Sequence, residues 1–405
     1  MPEPIQTTAA ASRRHGPLSG VRVVELAGIG PTPMCAMLLA DLGADIVRID
    51  RLAPSGNGIE RPARFDLTNR GRPSVAVDLK RPEGIACVLD LVAGADALIE
   101  GFRPGTMERL GLGPEICLAR NPRLVFGRLT GWGQTGPLAQ AAGHDLNYIA
   151  LAGALGAIGR RDAPPTPPLN LIGDFGGGAM LMAFGLLAAV LEARTSGLGQ
   201  VVDAAMVDGT ATLLTSLCGL QAAGLHNGPR GTNLLDSGAP HYDVYRCADG
   251  EWISIAPIEA KFRSQLITLL GLDADAFPDV AEPANWPAAR DILAAHFRRR
   301  TRAEWQALLE GTDACFAPVL SLPEAAAHPH MRERGTFVAI DGITQPAPAP
   351  RFSRTPPDLP APPEALGASS RAALAHWGIP PERIAALEAA GTIRDTGPKP
   401  GQPHP

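Results

Sequence analysis

The residues with the chemistry to do work in this chain gather in two stretches. They are Gly143-His144-Asp145-Leu146-Asn147-Tyr148 and Pro167-Pro168-Leu169-Asn170-Leu171-Ile172-Gly173-Asp174-Phe175-Gly176-Gly177-Gly178. The pair offers one imidazole, His144, and one carboxylate, Asp174, in an apolar and glycine-rich setting. Asp174 stands where an N-cap belongs, ahead of the apolar run Ala179 to Leu191, so a helix is expected to start there. Amides at a helix start point outward and favour negative charge, which makes those of Gly176, Gly177 and Gly178 candidates for holding an anion. An acid, a base and a bank of free amides in one pocket suit the making and quenching of a carbanion beside a carbonyl. An aspartate in this pattern is also an ordinary helix cap, and a single histidine is also an ordinary structural residue. The elements around them have to decide.

Val21 to Leu26 reads as a buried strand, followed by the turn Ala27-Gly28-Ile29-Gly30-Pro31-Thr32-Pro33, a helix over Met34 to Leu42 and a strand over Asp45 to Ile49. Strand, glycine turn, helix and strand make a βαβ unit, which implies a parallel sheet. Asp50 lies where a dinucleotide fold keeps its ribose acid, but Pro33 replaces the third glycine of that fingerprint, which argues against an NAD site. Further strands are expected at Val75 to Asp78, Ala97 to Glu100, Leu124 to Leu129 and Val201 to Ala205, with helices between them. Arg51, Lys80, Arg103 and Arg109 follow strand ends, where open α/β sheets collect ligands, and their charge suits phosphate. A helix over Met206 to Leu225 leads away. Tyr242 to Tyr245 and Trp252 to Ala256 form a hairpin around Ala248-Asp249-Gly250, with Glu259 directly after it. The expected class is α/β: a Rossmann-like parallel-sheet large domain plus a smaller α+β domain. The expected boundaries are 1–205 for the first part of the large domain, 206–237 for a linker, 238–322 for the small domain, and 323–405 for a return linker and the rest of the large domain.

Composition narrows the partners. A net charge of −5 with scattered basic residues gives no reason to expect nucleic acid. The six cysteines are far apart and form no C-x-x-C pair, so no metal or redox motif is supported and no metal site is expected. Met1 to Gly16 lacks the apolar core of a secretory signal, and Gly401-Gln402-Pro403-His404-Pro405 is no peroxisomal tripeptide. The run Ala179 to Leu191 falls short of the roughly 20 residues that span a bilayer. A cytoplasmic protein without a membrane partner is the expectation. Met180, Met182 and Met206 could line an adaptable apolar surface, although methionines at such spacing are more often core.

With His144, Asp174 and Glu259 in place, the sequence resembles the family III CoA transferases of the CaiB/BaiF type, and within them the α-methylacyl-CoA racemase branch. Beyond the two stretches above, the resemblance rests on Arg103-Pro104-Gly105, Thr130-Gly131-Trp132-Gly133-Gln134-Thr135-Gly136-Pro137 and Gly199-Gln200-Val201-Val202-Asp203-Ala204. Gly238-Ala239-Pro240, Ile258-Glu259 and Thr312-Asp313-Ala314-Cys315 complete it. The resemblance implies that transferases of this group carry an acyl anhydride on the aspartate matching Asp174 and generally lack the histidine matching His144. Both residues are present here, so the racemase reading leads. A CoA transferase is its alternative, and a nucleotide-binding module without chemistry is the third class.

The resemblance implies an enzyme of fatty acid metabolism that takes the α-proton from a 2-methylacyl-CoA thioester and returns one to the opposite face of a planar enolate. His144 and Asp174 are the implied bases, and Glu259 orients the histidine as carboxylates do for catalytic imidazoles. Asp145, Asn170, Tyr242 and Gly176 are the implied supporting groups, with Asn170 and Tyr242 around His144. CoA enters as part of the substrate, with no cofactor, against Ile29, Arg51, Val77, Leu79, Lys80, Phe102 and Arg109. Gly101 stands where some transferases carry an asparagine, and Ala256-Pro257-Ile258-Glu259-Ala260-Lys261-Phe262 departs from the usual surroundings of the glutamate. An interlocked homodimer is also implied, with each site shared between one subunit's large domain and the other's small domain.

Overall fold

A computed structural model describes residues 15–397. Apart from His15 and Gly16, the terminal stretches read above for address signals lie outside the described residues. In chain order the elements begin β1 (Arg22–Leu26), α1 (Pro31–Asp41), β2 (Asp45–Asp50), β3 (Ser74–Val77), α2 (Pro82–Ala93) and β4 (Ala97–Glu100). There follow α3 (Thr106–Arg109), α4 (Pro114–Arg120), β5 (Val125–Thr130), α5 (Asp145–Leu151) and α6 (Ala154–Ala157). A π-helix (Leu171–Met180) runs into α7 (Leu181–Ser196), then come β6 (Val201–Ala205), α8 (Met206–Leu213) and α9 (Thr215–Ala222). The second half holds β7 (Asp243–Arg246), β8 (Trp252–Ile255), α10 (Ala260–Leu270), α11 (Trp286–Phe297), α12 (Arg302–Leu309), β9 (Phe316–Pro318), α13 (Leu322–Ala327) and α14 (Pro329–Glu333). The chain closes with β10 (Phe337–Ile340), β11 (Ile343–Pro346), α15 (Ser370–His376), α16 (Pro381–Ala389) and β12 (Ile393–Arg394).

β1 to β6 form a parallel sheet in the order 3-2-1-4-5-6, and β12 adds an antiparallel strand beside β3. Apolar strands buried on both faces make this arrangement possible. Val24, Leu26, Val75 and Leu98 pack on one side with α2, α15 and α16, while Val23, Ile46, Ile99 and Val125 pack on the other with α1 and α7. Buried charge locks the loop ahead of β3 to the sheet: the fully buried Arg72 Nε donates to Glu25 Oε2 at 2.7 Å. Asp50, the residue considered for a ribose, instead accepts from Arg48 Nε at 2.8 Å and Ser74 Oγ at 2.5 Å, so its carboxylate is already engaged.

The chain divides into two compact units. The first comprises the described part of Met1–Ile149, Asn170–Leu213 and the described part of Gly335–Pro405; the second comprises Ala150–Leu169 and Leu214–Arg334. These limits differ from those expected. α8 belongs with the sheet rather than to a linker, residues 150–169 belong to the second unit, and the second unit continues to Arg334. The reason for the α8 difference is its backbone contact with the π-helix, described below. The second unit contains the antiparallel sheet β7-β8-β9, with Tyr245, Ile253, Phe297 and Trp305 in its core. The expected helix over Met206 to Leu225 is two helices, broken at Leu214.

The π-helix and α7 are continuous, and Leu171–Ser196 is by length and composition long enough to cross a membrane. The shorter apolar run seen in sequence underestimates this helix, because it extends through Asp174 and the glycines. Its inner residues Met182, Leu186, Ala189, Val190 and Ala193 pack in the core of the sheet.

Candidate active site at the sheet switch point

In the order 3-2-1-4-5-6 the crossovers reverse direction between β1 and β4, and the crevice beyond the carboxyl ends of those two strands is where open α/β sheets bind ligands. β1 leads there into Ala27–Gly30, and β4 leads into Gly101 and Phe102. Gly30 is the N-cap of α1, with φ 64°. A Cβ on Gly30 would stand 3.0 Å from Asp174 Oδ2, so only glycine lets the carboxylate come this close. The positive end of the α1 dipole therefore abuts Asp174, which favours its ionised form.

Asp174 is not the N-cap that the sequence pattern indicated. The π-helix begins three residues earlier, with Asn170 at its cap position, and Asp174 lies in its first turn. This widened helix is held by neighbours approaching at its glycines. A Cβ on Gly173 would meet Asp145 Oδ2 at 2.7 Å, and one on Gly177 would meet the Thr210 nitrogen of α8 at 2.6 Å. From the other side, a Cβ on Gly209 would meet the Gly177 oxygen at 1.9 Å, so α8 and the π-helix cross backbone to backbone. Gly176, Gly177 and Gly178 thus lie inside the i→i+5 pattern, and the leftover donors belong to the first turn. The expectation that their amides are free for an anion is overturned, because these glycines serve close packing.

The buried Asp145 accepts the Asp174 backbone N–H at 2.7 Å through Oδ2, while its own Oδ1 is buried with no partner among the described residues. Asn170 Nδ2 donates to Asp174 Oδ2 at 3.2 Å. Asn170 therefore serves the aspartate, not the histidine as expected. Burial pushes the Asp174 carboxyl above the usual carboxylate range; the Asn170 hydrogen bond pulls it down, the Asp145 charge pushes it up, and a positive His144 pulls it down. A carboxyl raised in this way is better able to exchange a proton near neutrality.

His144 sits just before α5 and is exposed. Its backbone N–H donates to Asn147 Oδ1 at 3.0 Å, and its carbonyl accepts from the Asn147 nitrogen at 2.8 Å, which fixes the turn. Below it, the Tyr148 hydroxyl donates to the Gly143 carbonyl, and the Tyr148 ring meets Trp132 edge-on at 4.8 Å. Burial, with the Asp174 charge adding to it, pushes the Tyr148 hydroxyl up to about 12. Tyr148 and Trp132 lay in the quoted motifs without a role; the Tyr148 ring packs against Gly131 and Gly143, and Trp132 against Gly143.

Glu259 and Tyr242 belong to the second unit. Glu259 is the exposed N-cap of α10 and makes no side-chain capping bond. In the altered sequence after it, Arg263 donates to the Ile258 carbonyl and so braces the turn. Tyr242 is half-buried, and its amide donates to the Ala239 carbonyl at 3.2 Å. Beside it, His241 is buried against Trp286, and burial pushes its imidazole down to about 4.

Of the seven residues expected around CoA, Leu79, Lys80 and Arg109 line one pocket of about 520 Å³ together with Arg81, Ile85 and Leu89. This pocket follows the carboxyl ends of β3 and β4. Ile29 and Arg51 are exposed in the turns after β1 and β2, and Phe102 packs partly into the core after β4. Val77 departs from expectation: its side chain is wholly buried, paired with Ile393 of β12, and has no free surface for a ligand. At Gly101 a Cβ would meet Thr32 Oγ1 at 2.3 Å, so the asparagine of some transferases has no room here. Among the described residues, no three or more His, Cys, Asp or Glu gather as a metal site.

Alpha-methylacyl-CoA racemase of Mus musculus is 47% identical over 341 residues, covering 84% of this chain and 87% of the relative. The racemase of the same name from Homo sapiens is 44% identical over 342 residues, covering 84% of this chain and 87% of the relative. The crystal structure of a CAIB/BAIF family protein from Brucella suis is similar with a TM-score of 0.77 and 26% identity, covering 90% of this chain and all of that one. The signature described as CoA-transferase family III matches residues 18–370, and the chain belongs to that family.

Proposed function

We propose that this protein interconverts the (R) and (S) forms of 2-methylacyl-CoA thioesters. One base removes the α-proton, a planar enolate forms, and an acid returns a proton to the opposite face. The observation that carries the reading is the raised carboxyl of Asp174 at the switch point of the sheet, held against the start of α1 and near enough to feel the charge of His144. The identity to racemases adds to it. Either residue takes the proton and the other supplies one, so each enantiomer has its own base. Asp145 and Asn170 oppose each other in tuning Asp174, the first by its charge and the second by its hydrogen bond. No resident cofactor takes part, and the CoA moiety belongs to the substrate. Lys80 and Arg109 supply its phosphates with charge-assisted hydrogen bonds.

The active form is a homodimer in this reading, interlocked, with the partner's Glu259 orienting His144. Exposed Met180, Phe184 and Leu191 on the π-helix and α7 give that dimer an apolar surface to cover. If activity persists after dilution to monomers, the shared site is wrong. The cytoplasm is the proposed compartment, supported by six unpaired cysteines.

A pure enantiomer of a 2-methylacyl-CoA in deuterated water, without an acceptor acid, tests the function. Epimerisation with α-deuterium uptake, abolished by His144→Ala, is expected. Retained chirality without deuterium uptake would refute the proposal. A partly exposed carboxylate at Asp174 also fits a transferase that carries an acyl anhydride there. That second reading predicts CoA exchange on adding a free carboxylic acid.

A further inference from the structure

Glu100 has no part in the chemistry above, yet it is wholly buried at the carboxyl end of β4, one residue from the switch point. Both of its oxygens are engaged. Oε2 accepts the Phe102 backbone N–H at 2.6 Å, and Oε1 accepts Arg128 Nε at 3.0 Å. The same guanidinium reaches from β5 to α3, where it grips both oxygens of Glu108 at 2.7 and 3.2 Å. Glu108 precedes Arg109, whose guanidinium donates to Thr106 Oγ1 at 2.9 Å within that short helix. One buried carboxylate thus ties Phe102, and through Arg128 the α3 turn with Arg109, to the end of the sheet.

We propose that Glu100 is a positioning residue for the CoA moiety, and that its ionised form holds the Gly101–Gly105 loop and α3 in the arrangement that binds substrate. The inference rests on the reading that the pocket of Lys80 and Arg109 receives the CoA phosphates. A carboxylate accepts from both donors with full charge, whereas a protonated carboxyl offers one of them only a neutral hydroxyl oxygen whose own proton needs an acceptor. The hold on the Phe102 amide or on Arg128 then weakens. Burial raises the Glu100 carboxyl to about 7; the Phe102 amide and Arg128 oppose the rise, and Glu108 adds to it. The charged groups acting on it are Arg128 from β5 and Glu108 from α3, and Thr32 of α1 brings its hydroxyl to the neighbouring Gly101. The binding-competent form is therefore lost as pH falls through about 7, and KM for the thioester rises there, apart from whatever change in kcat His144 and Asp174 bring.

Steady-state kinetics of the intact protein with one acyl-CoA, from about pH 5.5 to about 8.5, test this across the Glu100 transition. The variants are Glu100→Gln, Glu108→Gln and the double Lys80→Ala/Arg109→Ala. Glutamine at 100 has one acceptor oxygen for two donors, so KM should rise about tenfold, the effect of one lost charge-assisted hydrogen bond. The rise should be present throughout the pH range, and the inflection near 7 should vanish. The phosphate's own ionisation near 6 should persist in the variant. A KM unchanged from wild type, or a fall in kcat alone, overturns the inference. If Glu100→Gln does not fold, Glu108→Gln decides: its side chain is nearly half exposed, and it cuts the same link from the surface. A raised KM with kcat retained supports the inference, and an unchanged KM overturns it. If the Lys80/Arg109 double variant leaves KM unchanged, the placement of the phosphates is wrong. That outcome is separable from failure of the Glu100 role, which shows as a raised KM in the double variant alone.

Discussion

Gly177→Ala is the sharpest test of the packing that positions Asp174, because two opposing effects of known size predict different signs. In a helix interior alanine is favoured over glycine by about 1 kcal/mol, so on propensity alone the variant is stabilised. The structure opposes this: the new Cβ would lie 2.6 Å from the Thr210 nitrogen and 2.9 Å from the Gly209 carbonyl carbon, both backbone atoms of α8. Overpacking against groups that cannot rotate away costs about 1–3 kcal/mol, and contact with backbone belongs at the upper end. The net expectation is a loss of about 2 kcal/mol, or roughly 4–8 °C in thermal midpoint for a unit of this size. Gly219→Ala in α9 is the control, since a Cβ there meets nothing within 4 Å. It should gain about 1 kcal/mol. Scanning calorimetry of the three proteins, followed by activity at a temperature where all are folded, measures both quantities. Activity should fall in Gly177→Ala, because separating α8 from the π-helix shifts Asp174, three residues away. A midpoint for Gly177→Ala at or above wild type would refute the argument that the glycines exist for this crossing.

Asn170→Ala should push the Asp174 carboxyl still higher, because it deletes the hydrogen bond that favours the ionised form; the acid limb of the kcat/KM profile should move to higher pH. Asp174→Asn should raise thermal stability at neutral pH while removing activity. A carboxyl raised in the folded state costs stability once pH climbs through its folded value, so this gain should shrink toward pH values below about 4, where both states are protonated. A gain independent of pH would show that burial of the charge is not the cause. Arg72→Met leaves the fully buried Glu25 carboxylate unpaired and should cost about 3–5 kcal/mol in denaturant unfolding. Glu25→Leu/Arg72→Met should recover much of that loss.

The parallel sheet was legible because each of its strands is a short apolar run bounded by turn residues, and such runs are readable without knowing what covers them. The hairpin of β7 and β8 and the helices α10 to α12 were legible for similar local reasons. β10, β11 and β12 were missed: β12 has only two residues, and its antiparallel place beside β3 depends on a partner more than 300 positions away. The residue types at the site were also visible, since an imidazole and a carboxylate in glycine-rich surroundings stand out by composition.

What the sequence by itself determined was the family, the class of sheet and the candidacy of His144 and Asp174. Tertiary structure alone decided how the aspartate is held. A cap residue and three glycines describe a helix start equally well whether the amides beyond are free or packed. Only the approach of α8 at Gly177 and of Asp145 at Gly173 turns the segment into a π-helix. Asn170 was assigned to the histidine and belongs to the aspartate, because residues four apart share a face once the helix starts at Leu171 rather than at Asp174. The charge state of Asp174 is likewise a property of its surroundings. Burial, a neighbouring carboxylate and the end of α1 meet there through contacts between distant parts of the chain, and no spacing along the sequence encodes them.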